Sequence, residues 1–226
     1  MSGTLYILAT PIGNLGDITF RAIEILKSVD IIATEDTRQT RKLLNHYKIE
    51  TLMVSYHEWN EIKRSKELCN QIYKGKSIAV VTDAGTPCIS DPGFRIVREA
   101  QKQQLKVSPI PGANASLSAL CVSGLPSDKF YFEGFLPKKK GRKTRFEFLS
   151  SLNTSIVLFE SPHRLLKTFK DIHDYMGNRF ISLSRELTKK FEEIETKPIE
   201  YFIKKYEIKK AKGEFVITIA KKEFKL

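Results

Sequence analysis

The amino-acid sequence predicts an α/β fold in two α/β domains, and three observations carry that expectation. Five short strand-like runs at residues 5–9, 31–33, 52–56, 78–81 and 106–110 alternate with segments of helical periodicity, the pattern of a mostly parallel sheet covered on both faces. The runs end in loops of Gly, Pro and small polar residues, at the strand end where open α/β sheets bind ligands. From about residue 112 the pattern becomes more amphipathic and basic loops accumulate. The expected division is 1–111, an N-terminal domain with a mostly parallel sheet, and 112–226, a C-terminal domain with a basic loop.

Taken in order, the first run leads into a loop that Pro11, Gly13 and Gly16 make irregular. Asp17 or Thr19 can cap a helix carrying Phe20, Ile23 and Leu26 on one face. No GxGxxG and no GxxxxGK[ST] occurs, which removes the usual dinucleotide and P-loop readings. The second run ends in Thr34, Glu35, Asp36, Thr37 and Arg38. Two adjacent acids there provide a base or cap the helix that carries Leu43, Leu44 and Tyr47, and residue types alone favour the cap. The third run is followed by His57, Glu58 and Glu61. This HExxE lacks the second His of a zinc helix, and no metal site is expected. Residues 60–73 read as an amphipathic helix stopped by Gly75.

The fourth run, Ile78, Ala79, Val80 and Val81, is apolar at every position, as a strand buried on both faces should be. In the loop after it, Asp83, Ala84, Gly85, Thr86 and Pro87 allow a tight turn with close backbone approach, and Asp91 with Pro92 is a cap and first-turn pair for the next helix. Two Asp, two Pro, two Gly and a Thr in one short run exceed what a turn requires, so a small-molecule site is expected. Phe94, Val97 and Ala100 mark the next helix. The fifth run then opens a second small-residue loop, from Pro109 through Gly112, Ala113, Asn114 and Ala115 to Ser116.

In the second half, residues 130–136 alternate as a strand does. Lys138, Lys139, Lys140, Arg142, Lys143 and Arg145 follow in one short loop beside Phe132 and Phe135, a composition suited to a phosphate backbone with base stacking. Residues 156–159 form a buried strand ending in Glu160, Ser161, Pro162, His163 and Arg164. Ser161 and Pro162 are suited to open a helix with Leu166, Phe169 and Ile172 facing inward until Gly177. Further strands are expected at 180–183 and 215–219.

Bulk properties narrow the class. The net charge of +12 and pI near 9.5 fit a phosphate-rich partner, although solvated surface lysines give the same signal. The three scattered cysteines, Cys69, Cys88 and Cys121, argue for a reducing compartment and against a disulfide framework. No apolar run approaches the ~20 residues of a membrane span, and no secretory pattern opens the chain. A cytoplasmic place without membrane association is therefore expected.

The run SIAVVTDAGTPCISDPG resembles, nearly residue for residue, a signature of the tetrapyrrole methylase family, in the branch that modifies small-subunit ribosomal RNA. PIGNLGDIT, ATEDTRQT, SYHEWNE, PIPGANA, FEGFLPKK with a downstream Arg, LFESPHR, SRELTKKFE and GEFV are similar to further motifs of that family, so the resemblance spans residues 5–220. It implies two domains of the class III methyltransferase type with a methyl-donor cleft between them, S-adenosylmethionine in a bent pose, and a homodimer. It also implies methylation of the ribose 2′-hydroxyl of a cytidine in 16S ribosomal RNA. By carry-over the donor meets Pro11, Gly13, Asp83, Ala84, Gly85, Thr86, Pro87, Ile89, Gly112, Ala113, Asn114 and Ala115. RNA is expected at Arg38, Lys138, Lys139, Lys140, Arg142, Lys143, Arg145 and Arg164. Glu35, Asp36, Asp83 and Glu160 are the acids at predicted strand ends, and the residues do not choose a base among them. Many members continue with an extra C-terminal segment where this chain stops shortly after Ala220, which leaves any role of that segment in RNA docking or dimerisation open. Two rivals stand beside this reading. One is a methyltransferase for tetrapyrroles, which the basic loop and ATEDTR oppose. The other is a non-catalytic RNA-binding or ribosome-assembly protein, which the intact cleft motifs oppose.

Overall fold

A computed structural model describes residues 2–226 and divides the chain into units 1–114 and 115–226. In the first unit the strands β1 (Thr4–Leu8), β2 (Ile31–Thr34), β3 (Met53–Ser55), β4 (Ile78–Val81) and β5 (Lys106–Ile110) pair only in parallel, in the order β3-β2-β4-β1-β5. Four helices connect them: α1 (Phe20–Ser28), α2 (Thr37–His46), α3 (Glu61–Tyr73) and α4 (Phe94–Lys102). Ile31, Ala33, Ile78 and Val80 pack with Leu68, Cys69 and Ile72 of α3 and Ile96 and Ala100 of α4. The alternate residues Ile32, Ala79 and Val81 pack with Ala22 and Leu26 of α1 and Leu43 and Leu44 of α2. Both faces are covered, which is why β2 and β4 are buried at every position. The chain leaves β1 toward β2 through α1 and leaves β4 toward β5 through α4, in opposite directions along the sheet. The winding therefore reverses between the neighbours β1 and β4, where doubly wound sheets open a crevice.

Local signals resolve as follows. Thr19 caps α1, accepting the Ala22 N–H at 3.1 Å, and Asp36 caps α2, accepting the Arg38 N–H at 2.8 Å. Phe20, expected inward, is 88% exposed, because the buried face of α1 begins at Ala22. Asp91 and Pro92 do not open a helix. The 88–93 loop folds back on itself, with the Cys88 N–H on the Pro92 carbonyl at 3.3 Å, and α4 starts only after Gly93 at φ 142°. A side chain on Gly93 would lie 2.6 Å from Cys88 Sγ, so this reversal needs glycine. Gly3 is tighter still, since a Cβ there would stand 1.9 Å from the Lys76 carbonyl oxygen. Gly3→Ala is expected to cost about 1–3 kcal/mol by forcing β1 away from that turn, read as a lower denaturant midpoint.

The second unit holds β6 (Phe130–Phe135), β7 (Ser155–Glu160), β8 (Phe180–Arg185), β9 (Glu193–Pro198) and β10 (Phe215–Ile219), ordered β6-β7-β10-β8-β9. Only β6 and β7 are parallel; the other pairs are antiparallel. Its helices are α5 (Ala115–Val122), α6 (Arg142–Ser151), α7 (Leu165–Met176) and α8 (Ile199–Ile208). Phe146, Leu149, Phe169, Ile172 and Phe202 pack on Ile156, Leu158 and Ile217 as one core. Ser161 and Pro162 do not open α7, which begins at Leu165: the Ser161 carbonyl accepts the Arg164 N–H at 3.1 Å, closing a separate turn before the helix. Among the described residues no helix is long and apolar enough to cross a membrane.

Candidate active site

Three adjacent strands, β4, β1 and β5, send their C-terminal loops to the place where the winding reverses. Thr10 and Gly85 exchange both backbone bonds, at 2.9 and 3.0 Å, and the Thr10 hydroxyl donates to the Thr82 carbonyl at 3.1 Å. The Ala9 N–H meets the Ile110 carbonyl at 3.2 Å. On the other side the Thr86 hydroxyl donates to the Ala113 carbonyl at 3.1 Å, and the Asn114 amide donates to Thr86 Oγ1 at 3.3 Å. The three loops are thereby one hydrogen-bonded body.

Two glycines mark its closest approaches. Gly85 sits at φ 84°, where an added Cβ would lie 3.3 Å from Ile12 Cγ2, and a Cβ on Gly112 would lie 3.1 Å from that of Ala9. Thr10, Ile12, Thr82, Gly85 and Pro87 are buried, while Gly13, Asp83, Ala84, Ile89 and Gly112 are exposed and Pro11, Thr86, Ala113 and Asn114 are half-buried. The body therefore presents small residues and backbone outward over a buried support. Ala115 opens α5 in the second unit.

The loop after β2 joins this edge, with the Asp36 N–H donating to Asp83 Oδ1 at 3.1 Å. The acids there separate by environment. Burial, reinforced by the charge of Asp83, raises the proton affinity of Glu35, and burial likewise raises that of Asp83. Asp36 moves the opposite way, held at about 2 by hydrogen bonds from Arg38, whose Nε and Nη2 fork onto its carboxylate at 3.1 and 2.8 Å. It is a cap and an ion-pair partner, hence a weak base.

Asp91, read from the sequence only as a cap, is pushed up to about 7 by burial and then by the charges of Glu35 and Asp83. The nearest sequence signal was its place in the same loop as Asp83. Its folded pKa lies above the unfolded one, so the stability held by its neutral form is present at acid pH and lost as pH rises through about 7. Asp91→Asn is expected to remove part of the fall in melting temperature between pH 5 and pH 8, as thermal melts at both pH values would show.

The remaining sequence candidates lie in the second unit, apart from Arg38, whose exposed side chain is tied to Asp36. The Glu160 side chain is fully buried and accepts from the Ser161 N–H, from Arg164 Nε at 2.7 Å and from Thr168 Oγ1 at 2.6 Å. It is a structural anion with its oxygens occupied, not an open base. Only Lys138, Lys139 and Lys140 of the six expected loop cations lie in the loop, since α6 begins at Arg142 and carries Arg142, Lys143 and Arg145; the four lysines are exposed. The expected phosphate contact does not suit Arg142, which is 7% exposed and pairs with Asp171 at 2.7 Å. Arg145 lies over the Phe148 ring, 4.6 Å from its centroid, and pairs with Glu133, while Arg164 pairs with Glu160. The outward charge of the loop and of the first turn of α6 is therefore carried by lysines.

Residues 4–202 match the tetrapyrrole (corrin/porphyrin) methylases. The chain belongs to the tetrapyrrole methylase family. This methylase is 49% identical, over 96% of its length, to the ribosomal RNA small subunit methyltransferase I of Halalkalibacterium halodurans and covers 75% of that protein. It is 45% identical over 98% of its length to the protein of the same name from Thermotoga maritima, all of which it covers. Among solved structures it is similar to a diphthine synthase, with TM-score 0.73 and 15% identity over 96% of this chain and 90% of that one. It is equally similar to the methyltransferase CobJ, with TM-score 0.73 and 14% identity over 100% and 97% of the two chains. At such identities these structures show the fold, that of class III methyltransferases. The tetrapyrrole methylase described here is a methyltransferase, and its methyl donor is S-adenosylmethionine. Its residues fit that donor: the glycine-held loops offer backbone groups on an open surface, beside the exposed Asp83 carboxylate.

Proposed function

We propose that the chain methylates the ribose 2′-hydroxyl of a cytidine in 16S ribosomal RNA, with the small ribosomal subunit as substrate and the cytoplasm as its place. The single observation that carries the reading is the loop body at the β1/β4 reversal, built on the family's own motifs. Donor-contacting residues are Pro11, Gly13, Asp83, Ala84, Gly85, Thr86, Pro87, Ile89, Gly112, Ala113 and Asn114. S-adenosylmethionine, when bound, supplies a methyl group on positively charged sulfur. In-line displacement of that kind is mainly a positioning task, which suits loops already bonded into one body. A ribose hydroxyl is a poor acid, so a nearby base or strong electrostatic help is needed as its proton leaves. Glu35 and Asp83, with raised proton affinity, are the carboxylates of this edge able to take it. A homodimer as the working form, implied by the motif resemblance, belongs to this reading.

Lys138, Lys139, Lys140 and Lys143 are the RNA contacts of this reading. Neutralising the first three to Ala is expected to weaken binding of unmodified small subunits and to lower the slope of log affinity against log salt by about 2 to 3. Titrations at several salt concentrations measure both. The activity is tested with labelled S-adenosylmethionine offered in parallel to unmodified small subunits and to a reduced tetrapyrrole. Label should enter the RNA fraction only; label in the tetrapyrrole alone would replace this reading with its rival.

A further inference from the structure

Two guanidinium groups of the second unit reach the backbone at one place. Arg164 Nη1 donates to the Leu136 carbonyl at 2.9 Å and Arg142 Nη1 to the Pro137 carbonyl at 3.1 Å, and these two residues immediately precede Lys138. Behind them runs one continuous chain of bonds. Arg164 Nε donates to Glu160 Oε1 at 2.7 Å, Thr168 Oγ1 to Glu160 Oε2 at 2.6 Å, Arg142 Nη2 to Thr168 Oγ1 at 2.8 Å and Arg142 Nε to Asp171 Oδ2 at 2.7 Å. Thr168 is 0% and Glu160 2% exposed. A hydroxyl has one proton, and the carboxylate can only accept it, so Thr168 gives that proton to Glu160 and accepts from Arg142. The direction of every bond in the chain is thereby fixed.

A buried cluster of charges is a costly way to fill an interior, since apolar side chains of similar volume do so at less desolvation cost. What this cluster supplies that apolar packing would not is directional hold on two consecutive carbonyls. The segment they anchor continues into three adjacent lysines, which repel one another. We propose that Thr168, with Glu160 and Asp171, is a positioning residue for RNA binding, setting through Arg164 and Arg142 the angle at which Lys138, Lys139 and Lys140 leave the protein. The inference rests on the reading that these lysines contact RNA.

The test is a double-mutant cycle between Thr168→Val, which removes the hydroxyl at nearly constant shape, and the triple change of Lys138, Lys139 and Lys140 to Ala. Affinity for unmodified small subunits, affinity for S-adenosylmethionine and melting temperature are measured for each protein. Thr168→Val should weaken subunit binding by about 3- to 10-fold, the size of a coupling carried through a bonded network. Donor affinity should be unchanged, and Thr168→Ser should restore subunit binding. In the lysine-free background Thr168→Val should have no further effect on subunit affinity. Equal weakening in both backgrounds would overturn the positioning role, as would unchanged subunit affinity in Thr168→Val. A triple variant that binds subunits like the wild type would instead overturn the underlying RNA contact. Should Thr168→Val fail to fold, Asp171→Asn, at the other end of the chain of bonds, is put through the same cycle with the same outcomes.

Discussion

Gly85→Arg is expected to abolish donor binding while leaving the chain folded. Gly85 occupies φ 84°, and its backbone is bonded on both sides to Thr10. Any L-residue there carries about 1–2 kcal/mol of backbone strain, and its Cβ presses on Ile12. That strain alone should lower the melting temperature by roughly 2–8 °C in a chain of this size. The long cationic side chain has in addition to cross the loop body on which the donor is proposed to lie, repelling a sulfonium. Calorimetric titration with S-adenosylmethionine should show affinity reduced by at least about 100-fold, or ~2.7 kcal/mol. Gly85→Ala, which brings the strain without the charge, should keep part of the binding.

The second large effect falls on stability. Glu160→Ala removes the anion from beneath Arg164 and Thr168, leaving a mostly buried guanidinium and a buried hydroxyl without their acceptor. Breaking such a pair costs about 3–5 kcal/mol, read as a lower urea midpoint. A catalytic base behaves oppositely, losing about 10²–10⁴ in rate at little cost in stability. In the folded protein at low temperature, Glu160→Ala should therefore retain donor affinity, whereas removal of the working base among Glu35 and Asp83 should cost rate at an almost unchanged midpoint.

These two residues also mark where the sequence could be read and where it could not. The loop around Gly85 was legible because its small residues sit beside one another and follow a strand apolar at every position. Both caps, Thr19 and Asp36, were legible because the bonds they make are local. The roles of Arg142, Arg145 and Glu160 were not. An arginine beside lysines carries the same charge whether it faces water or the interior, and what turns Arg142 inward is Asp171, 29 residues away. Asp91 was hidden for a similar reason. Its acidity is set first by burial in the fold and then by the charges of Glu35 and Asp83, and Glu35 follows a different strand. Phe20 went astray because helical periodicity gives the spacing of a buried face but not which residue of the first turn begins it.

The central claim is methyl transfer to a ribose hydroxyl of ribosomal RNA from a donor held by the Gly85 loop body. It is tested most directly by incubating small subunits that lack the modification with labelled S-adenosylmethionine and mapping the methylated nucleotide, with Gly85→Arg as control. Label at the 2′-oxygen of a cytidine in 16S RNA, absent from the control, is the predicted result. Label on a base, or no label although the wild-type chain binds the donor, would contradict the account.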